Sequence, residues 1–111
     1  MAELIRAVVG DDKPLVTLTL ADRDTAVPYD LSAAGTSVDI LFRAAGTTTL
    51  LSTISCSITD GVNGVVTFDF ANGALDGIDA GMYEGEIEID FDGLIHTVYD
   101  LLKFRVRDDF N

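Results

Sequence analysis

Asp79-Ala80-Gly81-Met82-Tyr83-Glu84-Gly85-Glu86-Ile87-Glu88-Ile89-Asp90-Phe91 decides the fold of this 111-residue chain. Tyr83, Gly85, Ile87, Ile89 and Phe91 share one face, while Glu84, Glu86, Glu88 and Asp90 take the other. A period of two is that of a β-strand with one dry and one wet side. The opening of the strand adds a second signal. A Tyr just inside a late strand, preceded by Asp79-Ala80-Gly81, has the pattern of the tyrosine corner of Greek-key sandwiches. There the ring packs in the core and the hydroxyl bonds backbone a few residues upstream. Asp79, Gly81 and Tyr83 are therefore candidate structural residues.

The same alternation recurs on both sides of this stretch. Val16, Leu18 and Leu20 alternate with Thr17 and Thr19, and Val38, Ile40 and Phe42 with Asp39, Leu41 and Arg43. Ile54, Cys56 and Ile58 alternate with serines, and Val66, Phe68 and Phe70 with Thr67 and Asp69. Leu102, Phe104 and Val106 alternate with Lys103, Arg105 and Arg107, and an earlier strand covers about Leu4 to Val9. Turn residues fill the gaps. Asp60-Gly61 and Asn63-Gly64 separate two strands, and Asp92-Gly93 predicts a two-residue hairpin between Phe91 and Leu94. Pro14 and Pro28 fall at strand margins. No segment carries a 3.6-residue stripe, and Gly73 to Ala80 has room for one helical turn at most. About seven short strands spaced by turns predict an all-β protein, an immunoglobulin-like antiparallel Greek-key sandwich in a single domain over residues 1–111. In disulfide-bonded immunoglobulin domains a Cys lies two residues beyond the corner Tyr. Gly85 stands there, as expected of a thiol-free variant.

The totals narrow the function. The chain carries 19 acidic and 7 basic residues, a formal charge of −12. Phosphate backbones and anionic membrane surfaces repel such a molecule, which argues against nucleic-acid and membrane partners. An apolar fraction of 48% is that of a globular protein. Cys56 is the only cysteine, so no internal disulfide is expected. The start, Met1 to Val9, lacks the basic and apolar regions of a signal peptide, so synthesis and folding in a reducing cytosol are expected.

Residues able to carry chemistry are few. Cys56 sits between Ile54 and Ile58 on an apolar face, as a buried inert thiol does. His96, the only histidine, has no nucleophile marked beside it. Adjacent members of the ladder Glu84, Glu86, Glu88 and Asp90 stand about 7 Å apart along one strand, within the range of glycosidase acid pairs. On a flat wet face they read better as a solvated row that keeps the strand from aggregating. Lys103, Arg105 and Arg107 form a basic row on the last strand, and could face the acidic row if a bulge near Tyr99 to Leu101 shifts the register. Asp11, Asp12, Asp22, Asp24, Asp76 and Asp79 lie in loops and could offer oxygens to calcium, although such carboxylates more often form turns. Zinc clusters, phosphate loops and dinucleotide fingerprints do not occur, and no cofactor is expected. Tyr29, Tyr99 and Phe110 fall outside the alternation and are candidate contact aromatics.

Taken as a series, Gly10-Asp11-Asp12-Lys13-Pro14-Leu15, Val27-Pro28-Tyr29-Asp30-Leu31-Ser32-Ala33-Ala34, Ser37 to Arg43, Ile58-Thr59-Asp60, Gly64-Val65-Val66, Ala80 to Glu84 and Phe104 to Asp109 resemble the immunoglobulin-like N-terminal domain of phage baseplate upper proteins. In that family further regions follow the module, and here the sequence stops at Asn111. The resemblance implies a non-enzymatic structural protein of a tailed-phage virion, made in the bacterial cytoplasm and present in several copies per particle. Its partners would be other virion proteins of the tail or baseplate. A capsid decoration protein is the alternative within that expectation. A module that weakly binds host glycans, through Tyr29, Tyr99 and the Glu84 to Glu88 row, is the alternative outside it.

Overall fold

A computed structural model describes residues 4–110, so the first residues of the stretch read for a targeting signal lie outside it. The fold is all-β. Eight strands follow one another as β1 (Leu4–Val8), β2 (Val16–Thr19), β3 (Thr36–Ala44), β4 (Ser52–Asp60), β5 (Val65–Phe68), β6 (Gly81–Phe91), β7 (Leu94–Thr97) and β8 (Leu102–Arg107). They hydrogen-bond in the order β1-β8-β6-β3-β4-β5-β2, and β7 pairs with β6. Gly73 to Ala80 is a run of turns and bends with no helix.

Two features correct the expected architecture. The sheet is mixed: β1 runs parallel to β8, with Leu4 opposite Lys103 and Val8 opposite Arg107. The additional strand is β7, formed by the Asp92-Gly93 hairpin, in which both residues take positive φ, 52° and 98°. Those angles suit the tight turn that matches strand twist. The register of this segment against β6 then slips by two residues between Thr97 and Leu102, the bulge anticipated near Tyr99 to Leu101.

The sheet curls into two layers. The first half of β4 pairs with β3 and the second half with β5, with an irregularity between Ile58 and Asp60. In a flat sheet β8 and β5 would lie four strand spacings, about 19 Å, apart. Instead the rings of Phe104 (β8) and Phe68 (β5) lie 6.4 Å apart, and Phe70 approaches Phe104 to 6.1 Å. The larger layer, β1-β8-β6-β3-β4, is thus folded over the smaller one, β4-β5-β2, as in a β-sandwich. Between them lie Leu18, Leu20, Ile40, Phe42, Ile87, Ile89 and Phe104, all buried.

Gly85 lies where the core leaves no room for a side chain. A Cβ there would stand 2.8 Å from Ile40 Cγ2 and 2.9 Å from Phe104 Cε1. The Phe104 ring, edge-on to Phe42 at 5.1 Å, fills the space that a cross-link would occupy. Aromatic packing holds the centre of this core.

Candidate functional site

Tyr83 forms the tyrosine corner. Its ring is buried and stacks on Phe42 at 5.2 Å with planes 9° apart. Its hydroxyl donates to the Asp79 carbonyl oxygen at 2.6 Å. Burial, and then the nearby Asp79 carboxylate, push the phenol above its ordinary pKa. Asp79 serves through its backbone, and Gly81 opens β6 opposite Val106. These three candidates are structural.

Tyr29 and Tyr99 meet at the end of the sandwich. They line one open cleft of about 340 Å³ together with Asp22, Arg23, Asp24 and His96. Tyr29 is carried there by the bridge between Ala21 and Pro28, and His96 by β7. The Tyr29 hydroxyl and His96 Nε2 share a hydrogen bond of 3.0 Å. Partial burial, then the charges of Asp22 and Asp24, raise the Tyr29 pKa. The Asp22 carboxylate accepts the amides of Asp24 and Thr25, which lower its pKa and spend it on a turn. Across the cleft Arg23 lies over the Tyr99 ring at 4.9 Å and reaches Asp100 at 3.3 Å. Tyr99 is 79% exposed, an aromatic face held ready by a cation. The sequence gives no sign of Arg23, because its partners lie more than seventy positions away.

The acidic row is elsewhere. His96 is the register partner of Ile89, which faces inward, whereas Glu84, Glu86 and Glu88 alternate with it and face outward. Tyr29, Tyr99 and the Glu84 to Glu88 row therefore do not share one surface, which corrects the grouping suggested for a glycan site. The row is not uniformly solvated either. Glu84 is 9% exposed, held by Lys103 Nζ at 3.1 Å, Arg43 Nε at 3.5 Å and the Gly46 amide at 3.3 Å. The Lys103 hydrogen bond, then that from Gly46, keeps its carboxyl below the usual range. Glu84 and Lys103 are also the single rung on which the acidic and basic rows meet. Arg105 lies opposite Met82, not opposite a carboxylate.

The outer face of the larger layer is thus polarised. Arg6 of β1 and Arg105 of β8 are register partners, and a hollow of about 260 Å³ runs between Arg6, Val8, Arg105 and Arg107. Arg107 lies over the Phe110 ring at 5.1 Å and donates to the Asp108 carbonyl. Among the described residues neither Arg6 nor Arg105 forms an ion pair. Farther along the same face, Asp39 and Glu88 stand opposite each other, flanked by Glu86 and Asp90, all half-exposed.

Burial, with the Asp39 charge second, pushes the Cys56 thiol up to about 12, which suits packing and not nucleophilic attack. The described residues hold no group of three or more His, Cys, Asp or Glu side chains placed to share a metal ion. No family model matches this chain, and no curated protein is significantly similar to it.

Proposed function

We propose that this chain is a non-enzymatic structural protein of a tailed-phage virion, an immunoglobulin-like module that docks on other virion proteins of the tail or baseplate. The strand order, with β4 shared between layers and a tyrosine corner on β6, supports the immunoglobulin-like Greek-key reading. The docking role is carried by one observation, the outer face of β1-β8-β6-β3 with a basic end and an acidic end. Charge separated in this way steers a protein partner and fixes its orientation. The resemblance to phage baseplate upper proteins supplies the setting, and capsid decoration is the alternative within it.

Mass spectrometry of purified particles, with copy number, tests the proposal. A few copies, or a small multiple of a tail's symmetry, fits the tail or baseplate. Hundreds of copies fit the capsid. Absence from particles removes the virion reading.

The cleft favours a second reading, a weak glycan site. Tyr29 and the exposed Tyr99 ring line it with Asp24, and sugar faces stack on such rings while a carboxylate accepts hydroxyl hydrogen bonds. A glycan array that stays blank at high ligand concentration removes it.

A further inference from the structure

We infer that the polarised outer face takes a second copy of this chain, docked about a two-fold axis lying in the plane of the face. The inference rests on the docking role above and names the partner. The basic end holds Arg6, Lys103, Arg105 and Arg107, more than half of the chain's 7 cationic residues. Lys103 is occupied by Glu84. Arg6 and Arg105 are set side by side by the parallel register. Like charges in that relation destabilise a sheet, and a carboxylate brought between them by a partner relieves the repulsion. With 19 acidic residues in the sequence, a carboxylate between them would have been easy to supply.

The acidic end repeats the situation with the opposite sign. Asp39 and Glu88 are register partners, and Glu86 and Asp90 flank them. Apolar side chains are exposed among these charges: Met82, 41% exposed, lies at the basic end opposite Arg105, and Leu50, 53% exposed, shares a shallow hollow with Leu41, Arg43 and Glu86. Exposed apolar side chains interleaved with charged ones are what a polar protein interface presents. A purely acidic or purely basic partner would satisfy one end and leave the other repelled. A second copy, turned by the two-fold axis, places arginines over carboxylates at both ends. One rotation generates both contacts, so no distance between the ends has to be matched.

The area is adequate. The five strands β1, β8, β6, β3 and β4 span 5, 6, 11, 9 and 9 residues, and at about 3.3 Å per residue and 4.8 Å between strands they give a face of roughly 630 Å², the low end of the ~600–1,000 Å² per partner of a standard interface. The net charge of −12 on each copy opposes approach at long range. Physiological salt confines that repulsion to about 8 Å.

Analytical ultracentrifugation of the full chain, up to the hundred-micromolar range in physiological salt, tests this. The wild type should dimerise. Arg105→Glu and Glu88→Arg each create two like-charge contacts per dimer, and each should weaken association by about tenfold or more. An equimolar mixture of the two variants should recover wild-type affinity, because the heterodimer pairs opposite charges at both ends. Both positions lie on the outer face, and thermal unfolding of each variant checks that it folds. A wild type that stays monomeric, variants that dimerise as well as the wild type, or a mixture no tighter than its parts would overturn the inference. A monomeric wild type still present in purified particles removes the two-fold dimer and leaves the docking role. A dimer absent from particles does the reverse.

Discussion

Replacing Tyr83 by Phe removes one hydroxyl and nothing else, since the Phe ring can keep the stack on Phe42. What is lost is the 2.6 Å bond to the Asp79 carbonyl. Asp79 is exposed, so water can take over the vacated acceptor. The cost is then the net value of one hydrogen bond, about 1 kcal/mol, and not the larger penalty of a stranded buried group. A chain of 111 residues has an unfolding entropy of about 0.23 kcal/mol/K, so Tm should fall by about 4 °C. Calorimetry at neutral pH measures it. The pH dependence gives a second readout. Burial raises the folded-state pKa of this phenol above its ordinary value. The unfolded phenol ionises first, so the folded state holds the extra proton. The stabilisation is fully present below about pH 10 and is lost as pH rises through the folded value. The gap between wild type and Tyr83→Phe should therefore narrow in alkali. Tyr29, also raised, keeps some alkaline slope in both proteins. A Tm unchanged within about 1 °C, with no narrowing above about pH 10, would falsify the tyrosine corner as a source of stability.

Two further expectations concern the core and the covered carboxylate. Gly85→Ala drives a methyl group to 2.8 Å from Ile40 and 2.9 Å from Phe104. It should cost about 1–3 kcal/mol in urea unfolding, and a neutral result would mean that the aromatic cluster yields more easily than its packing suggests. Glu84→Gln removes a charge-assisted bond to Lys103 and should cost about 1–2 kcal/mol at neutral pH. Because the folded pKa of Glu84 is lowered, its stabilisation is present above the unfolded value and lost as pH falls through the folded one. The variant should match the wild type in acid, and an equal gap at pH 2 and pH 7 would remove the electrostatic account.

The fold was legible where the cause is local. Alternation placed β3, β4, β6 and β8, the Asp92-Gly93 turn placed the hairpin, and the Tyr83 corner could be read because donor and acceptor are four positions apart. The register does shift near Tyr99, where matching the two charged rows required it, yet only Glu84 and Lys103 come to face each other. The parallel pairing of β1 was not legible, since alternation says which face a residue takes but not which strand lies beside it. β7 was legible only as the second arm of the Asp92-Gly93 hairpin, because Leu94, Ile95, His96 and Thr97 are all exposed and no dry face marks it. Glu84 was misjudged because its cover comes from Arg43 on a neighbouring strand and from the Gly46 amide, which alternation does not reveal. The cleft joins Tyr29 to His96, 67 positions apart, and nothing in either neighbourhood announces the other.

The parallel pair also fixes an order of events during synthesis. Ile5 and Ala7, the inward side of β1, find their partners on β8 only when Phe104 and Val106 have been made. At about 5–20 residues per second the first strand must wait roughly 5–20 s on the ribosome before the sheet can close over it. During that interval it is a short apolar segment with an unpaired edge, and the guanidinium of Arg6 at its middle is what discourages neighbouring nascent chains from adding to it. The charge that polarises the finished face also guards the unfinished one.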